Sequence, residues 1–239
     1  MLALVSIIVS TAGYKQDATA LDTSLTPAVN VVSYEATTLD KIPMELTEHQ
    51  GEHTTNSLIP AAAVDVVVEN LHGQSALITR VDAEVRTVYT LRACGAGELK
   101  ATAKFDIKIP TDRNVHGQSF GQSKFFEVEG NRKDEFAVSV GPVSMPENAL
   151  ANIFHIDLLI RMQSGETLRA NDIMLMTPGT KEDDDRLIGA LSGTNNGLGG
   201  SPTCLKAARG LVDAAVSARA TKQSPRLAAL HAKMHAVGY

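Results

Sequence analysis

Ser119 and His116 are the residues of this chain whose spacing best fits nucleophilic catalysis. Ser119 is the centre of residues 117–121 (GQSFG), which match the G-x-S-x-G nucleophile elbow of serine hydrolases, and His116 precedes them. In that elbow a strand precedes the serine and a helix follows it, so that the turn exposes the hydroxyl. Strand-forming residues follow here instead, at 123–128, and the tetrapeptide HGQS also occurs at 72–75 before another strand-like run. The context therefore favours turns over nucleophiles, and a serine hydrolase using Ser119 is the alternative function.

His231 and His235 are the candidate metal ligands. They are four residues apart on a predicted helix, a spacing that can direct two imidazoles to one ion. Ala232 stands where a zinc protease has its catalytic glutamate, and no third ligand is evident. Because two ligands alone make neither a structural nor a catalytic site, the sequence predicts no metal site.

Three further groups of polar residues have simpler interpretations than a binding site. Residues 182–185 (EDDD) lack the spaced ligands of a calcium loop and suit an exposed helix start. Residues 193–201 are glycine-rich but lack the lysine of a phosphate loop, which predicts a linker. His155 and Asp157 share one face of a predicted strand and are interpreted as surface residues. No cofactor is predicted.

Cys94 and Cys204 are the only cysteines. In an oxidising compartment they could form a disulfide between the β region and the first tail helix, and such a long loop would constrain the unfolded chain by roughly 4–5 kcal/mol. The alternative is two unrelated thiols.

Composition argues against a nucleic-acid-binding protein. The 239 residues include 22 basic and 27 acidic side chains, a net charge of −5, and only 4% are aromatic. Nucleic-acid binders carry basic surfaces and often stack bases on aromatic rings. The segment from Thr203 onward is nevertheless basic, with a net charge of +5. It could dock on the acidic body, on an anionic surface, or on nothing.

The N-terminal segment, residues 1–20, has a short apolar core followed by a small-residue sequence at 18–20 (ATA). This pattern is typical of a signal peptide, although no basic residue precedes the core. The other interpretations are the outer end of a membrane helix with a misplaced start, and a plain buried strand. We expect an extracytoplasmic protein, secreted or membrane-anchored, and a cytoplasmic location is the alternative.

Residues 77–92 alternate between apolar and polar side chains almost without error. Successive side chains of a strand point to opposite faces, so this pattern predicts a strand with one buried face and one face in water, as in antiparallel sheets. Val81 and Leu91 belong to the face predicted to be buried, and Asp82 to the wet face. Since strands average about 5–6 residues, we expect a bend or bulge near residues 87–88.

The rest of the chain must supply the strands that pair with residues 77–92 and the side chains that cover their buried face. Short strand candidates separated by turns indicate a mainly β fold, an antiparallel immunoglobulin-like β-sandwich with a C-terminal helical tail. Thr203 and Ser224 are the expected caps of two helices, with Gly238 at the end of the second. Their apolar stripes face the sandwich or each other, or else another chain. The predicted segments are 1–20 (signal-like), 21–60 (polar arm with one edge strand), 61–178 (sandwich), 179–202 (linker) and 203–239 (two helices).

Five short segments of the β region form a series of strand and turn residues. They are Val64–Asn70, Ser75–Val81, Lys104–Pro110, Asp134–Phe136 and Ile156–Leu158. Together they resemble uncharacterised bacterial proteins that have a short membrane-proximal N-terminus and one extracytoplasmic β-sandwich. The resemblance covers residues 61–178 and implies a fold and a side of the membrane, but no catalytic residue and no ligand.

We therefore expect a non-enzymatic binding or scaffold module whose partner is another protein, bound through the sandwich edges, the loops or the C-terminal helices. An accessory subunit that docks on a larger assembly through those helices is the second alternative. Edge strands and loops are where β modules usually bind partners.

Overall fold

The computed structural model describes residues 29–48, 54–92, 99–144, 149–177 and 202–236. Within these ranges the chain forms two five-stranded sheets and two C-terminal helices, which confirms the predicted mainly β class with a helical tail. The elements are β1 (Val29–Glu48), β2 (Thr54–Asn70), β3 (Ala76–Arg92), β4 (Leu99–Ala103), β5 (Ile107–Ile109), β6 (Ser119–Val128), β7 (Arg132–Pro142), β8 (Ala149–Met162), β9 (Thr167–Met176), α1 (Pro202–Ser217), β10 (Lys222–Gln223) and α2 (Pro225–Ala236).

Each sheet brings together strands that are distant in the chain. The first sheet has the order β4-β1-β2-β7-β5, and the second has the order β10-β9-β8-β3-β6. Neighbouring strands are antiparallel except in the short pairs β5–β7 and β9–β10. Side chains of both sheets meet in one buried core, here called the shared core. Its members include Val64, Val66, Val68, Ile78, Val85, Val138, Phe154, Ile156, Leu158, Ile173 and Leu175.

The long strand β3 carries the expected bulge, one residue before the predicted position. Its pairing with β8 shifts between Val85 and Thr87, which leaves Arg86 as the extra residue. Because one extra residue exchanges the two faces of a strand, Val81 and Val85 face the shared core, whereas Leu91 faces the other way. The expectation that Leu91 shares a face with Val81 is therefore wrong.

The outer face of the second sheet is covered at one end by the C-terminal segment 202–236, here called the helical cap. Side chains of β3, β8 and β9 pack there against both helices in a second buried cluster. The expectation that the apolar stripes face their own sandwich is thereby confirmed. The cluster consists of Leu91, Ala151, Ile153, Met174, Met176, Ala208, Val212, Ala215, Leu227, Leu230 and Met234.

The linker between the two helices fixes the cap to the sheet edge. Strand β10 pairs in parallel with β9, and the Lys222 ammonium forms an ion pair with Glu35 of β1. The Ser224 hydroxyl accepts hydrogen bonds from the backbone amides of Leu227, at 3.4 Å, and Met176, at 3.2 Å. Ser224 thus caps α2 as predicted, with Pro225 as its first residue. The expected cap Thr203 lies inside the first turn, because α1 begins at Pro202.

The predicted polar arm at 21–60 is not an arm over its described part. Strand β1 extends to Glu48, β2 starts at Thr54, and the two pair continuously except at two bulges. Strand β4 pairs with β1 only at 44–48, so in the described residues the first part of β1, which contains the predicted edge strand at 29–35, has β2 as its only partner. The segment is poor in apolar residues but rich in β-branched threonine, which suits an extended chain, and the paired strands satisfy each other's backbone groups.

Several sequence-based expectations fall outside the described residues. They concern the signal-like segment 1–20, the acidic residues 182–185, the glycine-rich run 193–201, Gly238 and Cys94, together with the side chain of Cys204.

Candidate functional site

Two β-bulges concentrate polar side chains on the outer face of the second sheet, beside the helical cap. One is the bulge at Arg86. The other lies between β8 and β9, where the register passes from Ile156–Ile173 to Leu158–Ala170, so that two residues of β9 oppose Asp157 alone. One of these two is Asp172, whose φ of 63° lies in the left-handed region, which aspartate tolerates better than most residues.

The side chains of Arg86, His155, Asp157, Asp172 and Thr221 form one hydrogen-bonded group, here called the junction network. The Arg86 guanidinium donates to both oxygens of Asp157, each at 2.9 Å, and to Oδ1 of Asp172 at 3.1 Å. His155 Nε2 lies 2.8 Å from the same Asp172 oxygen. The backbone amide of Asp172 donates to Asp157 Oδ1 at 2.6 Å.

The second oxygen of Asp172 connects the sheet to the cap. It accepts hydrogen bonds from the amide and the hydroxyl of Thr221, each at 2.9 Å. Burial opposes the ionisation of Asp172, but the hydrogen bonds from His155 and Thr221 outweigh it and hold the pKa of this carboxyl below its ordinary value. The ionised form of Asp172 is therefore the form that the folded chain stabilises.

The junction network contains the residue types of acid–base catalysis, but these side chains form hydrogen bonds with one another. His155 and Asp157 are buried, which corrects the expectation that they are surface residues: Asp172 contacts both of them, and Arg86 contacts Asp157. Both carboxylates accept hydrogen bonds from protein donors. This arrangement joins the helical cap to the sandwich, because its contacts run from β3, β8 and β9 to the linker of the cap.

We expect Asp172→Asn to lower the free energy of unfolding at pH 7 by about 1.5–3 kcal/mol, the range for hydrogen bonds to a charged group. Asparagine tolerates the left-handed backbone, so the variant removes the charge and one acceptor oxygen without straining the turn. A lowered pKa means that the stabilisation is present above the ordinary value, about pH 4, and is lost as the pH falls through the lowered one. Urea unfolding between pH 7 and pH 2.5 should therefore show the difference from wild type shrinking towards acid.

The comparison with wild type at each pH is the necessary control. Burial, together with the neighbouring Glu135 carboxylate, raises the pKa of Asp65, and this group favours folding as the pH falls, the opposite sign. A difference between variant and wild type that does not change with pH would contradict the role given to the Asp172 charge.

A second charged group lies further along the same outer face. Asp82, only 3% exposed, places one oxygen 2.6 Å from Arg80 Nε and the other 2.7 Å from Arg161 Nε. Asp82 was expected on the wet face, and it is buried because the two arginines lie over it. Gly121 is paired with it on β6, and a Cβ there would lie 2.2 Å from Asp82 Oδ1 and 2.3 Å from the Val81 carbonyl oxygen. Only glycine at 121 leaves room for this ion pair.

Ser119 does not lie in a nucleophile elbow. It is the exposed first residue of β6, so a strand follows it instead of a helix. Gly117 has a φ of 72° and forms the preceding turn, and its amide donates to the Val85 carbonyl at 2.8 Å. His116 contacts the Arg86 carbonyl through Nδ1. Both glycines of residues 117–121 are therefore explained by the structure. Gly117 adopts the left-handed conformation of a turn, and Gly121 leaves room for the close approach of Asp82.

The two HGQS tetrapeptides are far apart in the pairing of β3 with β6. Ser75 precedes the end at which Ala76 pairs with Val128, whereas Ser119 pairs with Glu84 at the other end. The structure therefore does not bring the two copies into one site.

His231 and His235 lie side by side on α2, and the structure adds a third residue to them. Their Nε2 atoms are 3.1 Å apart, and Asp213 Oδ1 of α1 lies 3.7 Å from His231 Nε2. All three donor atoms lie within 4.8 Å of one another. The sequence offers no evident third ligand beside the histidines, and the structure places Asp213 of the neighbouring helix next to them.

Comparisons with family models, with curated proteins and with solved structures find no match for this chain. Among the described helices, none is long and apolar enough to span a membrane.

Proposed function

We propose that this chain is a non-enzymatic, extracytoplasmic binding or scaffold module with an immunoglobulin-like sandwich, and that another protein binds it at edge strand β6. The observation that carries the proposal is Phe125, a residue of this edge strand whose side chain is 76% exposed. Of the large apolar side chains in the described ranges, it has the greatest exposed fraction.

The inward-facing side chains of β6 are already engaged. Gln122 donates to Asp106 Oδ1 at 2.9 Å, and the Lys124 ammonium donates to the Ala137 carbonyl at 2.6 Å. Phe126 packs against Phe136, with ring centroids 5.2 Å apart. Because these side chains already have partners inside the sandwich, the outward-facing residues around Phe125 are the ones available to another protein.

The chemistry of β6 favours contact through side chains over addition of another strand. A lysine that points inward from an edge strand opposes pairing with a further strand, and Lys124 has this position. An exposed phenylalanine offers a large apolar area and few rotamers to immobilise, which suits the anchor of a protein interface. The acidic net charge and the low aromatic content argue against a nucleic-acid partner.

A photo-crosslinking amino acid at position 125 tests the proposal in cells. p-Benzoylphenylalanine extends the phenylalanine side chain, so we expect an adduct of defined mass with another protein after irradiation. The matched control is the same substitution at Leu58, an apolar residue of the first sheet that is 61% exposed. Equal adducts from both positions, or none from position 125, would reject β6 as the binding edge.

The proposed location is tested separately. Fractionation combined with N-terminal sequencing of the mature protein should place it outside the cytoplasm, either cleaved near residue 20 or held at the membrane. An intact chain in the cytoplasm would overturn the proposed location. The proposed binding at β6 would then still be tested by the crosslinking result.

A further inference from the structure

The helical cap carries a group of three metal-ligating side chains, Asp213 on α1 and His231 and His235 on α2. The two imidazole rings lie nearly perpendicular, at 81°, with centroids 4.4 Å apart. Their Nε2 atoms are 3.1 Å apart, and Asp213 Oδ1 is 3.7 Å from the nearer one, that of His231. No other group of three such residues with converging donor atoms occurs in the described ranges.

These separations match those of ligands around a small divalent ion. Zinc binds histidine nitrogen at about 2.0–2.1 Å and carboxylate oxygen at about 2.0–2.2 Å, in tetrahedral geometry. Two ligand atoms of such a site are therefore about 3.3–3.4 Å apart. The observed 3.1 Å and 3.7 Å lie on either side of this distance, and the third pair of donor atoms is within 4.8 Å, so side-chain rotation can direct all three atoms at one ion.

Packing of the cap holds the three residues in register. Each ligand directly follows a buried residue of the cap cluster: Asp213 follows Val212, His231 follows Leu230, and His235 follows Met234. The buried residues fix the rotation of both helices, so the residues after them come together at the outer junction of α1 and α2. The site is accessible from solvent, because the side chain of His231 is 27% exposed and that of Asp213 is 58% exposed.

We propose that Asp213, His231 and His235 bind one Zn²⁺ ion that connects α1 to α2. Two imidazoles and one carboxylate suit zinc and its neighbours in the transition series, whereas calcium and magnesium prefer oxygen ligands. Three protein ligands leave the fourth tetrahedral position to water or to a donor from a bound molecule, as in zinc sites that keep an open position. Binding stabilises the cap, because the ion can be held only when both helices are in place.

The test uses the full-length chain, freed of metal with a chelator and titrated with Zn²⁺ alone by calorimetry. We expect one ion per chain at this site, with an affinity reduced at least about tenfold in His231→Gln, His235→Gln and Asp213→Asn, since each variant removes a ligand. His72→Gln is the matched control, because it removes a histidine far from the cap in sequence and should leave the affinity unchanged.

Substitution with Co²⁺ separates this site from any site that uses the cysteines. A tetrahedral nitrogen and oxygen site gives visible ligand-field bands without the near-ultraviolet charge-transfer band of a cobalt–thiolate bond. Hydrogen exchange supplies a second readout, because Zn²⁺ should slow exchange in 202–236 in the wild-type chain but not in His235→Gln, whose altered side chain is exposed. Zinc binding that is equal in the wild type and all three ligand variants, or binding with a thiolate band only, would overturn the proposal.

Discussion

Gly121→Ala is expected to lower the free energy of unfolding by about 2–3 kcal/mol, the cost of forcing an extra methyl group into a closely packed place. The new Cβ would lie 2.3 Å from the backbone oxygen of Val81 and 2.2 Å from Asp82 Oδ1. The backbone cannot withdraw without disturbing the pairing of β3 with β6, and the Asp82 carboxylate cannot move without losing Arg80 or Arg161. Urea unfolding monitored by circular dichroism measures the loss.

Two other substitutions make this result specific. Ser119→Ala, two residues earlier at an exposed position, should change stability by less than about 0.5 kcal/mol. Gly210→Ala in α1 should raise stability by about 0.5–1 kcal/mol, because a Cβ there meets nothing within 4 Å. If Gly121→Ala were as neutral as Ser119→Ala, the explanation of Gly121 by the approach of Asp82 would be wrong.

The second large effect is expected from adjacent residues of β8 that face different clusters. Phe154 and Ile153 are both fully buried, Phe154 in the shared core and Ile153 beneath the helical cap. Phe154→Ala should cost about 3–5 kcal/mol and Ile153→Ala about 2–4 kcal/mol, because each leaves a cavity. The two substitutions should destabilise different parts of the protein. Phe154→Ala weakens the whole sandwich, whereas Ile153→Ala weakens mainly the contact with α1 and α2.

Native-state hydrogen exchange distinguishes these two outcomes. In Ile153→Ala the amides of 202–236 should exchange faster while those of β2 and β7 keep most of their protection. The exposed Val32→Ala is the control, and it should alter neither region. Equal acceleration in the sandwich and in the cap would contradict the description of Ile153 as a residue of the cap cluster.

The local alternation of apolar and polar residues was enough to predict the strands of the sheet. It was not enough to predict that the outer face of the second sheet is also packed, against the helical cap. The alternation in residues 77–92 predicted β3 within one residue, and its unusual length alone predicted the bulge. The exchange of faces at Leu91 was missed because it depends on which residue is the extra one, and that is decided by pairing with β8. Likewise, the burial of Asp82 results from Arg161, which is distant in sequence.

The junction network was not predictable for the same reason. Its members come from β3, β8, β9 and the cap linker, and the hydrogen bonds of Arg86 join residues 71 and 86 positions apart. The left-handed conformation of Asp172 has a weak signal at most, the dipeptide Asn171-Asp172 within an apolar strand. Asp213, in contrast, had a usable signal: it follows a stripe residue of the first helix, as His231 and His235 follow stripe residues of the second.

The helical cap has a consequence for the order in which this chain folds. Its platform is built from Leu91, Ile153 and Met174, which come together only after three distant segments have paired. Such non-local pairing is slow, and a ribosome releases the cap residues after all three strands. The cap therefore docks after the three strands have paired, and until β10 pairs with Ile173 and Met174 this part of the β9 edge is open to the edges of other chains, a state prone to aggregation. Docking of the cap thus protects the chain against pairing with other chains at this part of the sheet edge.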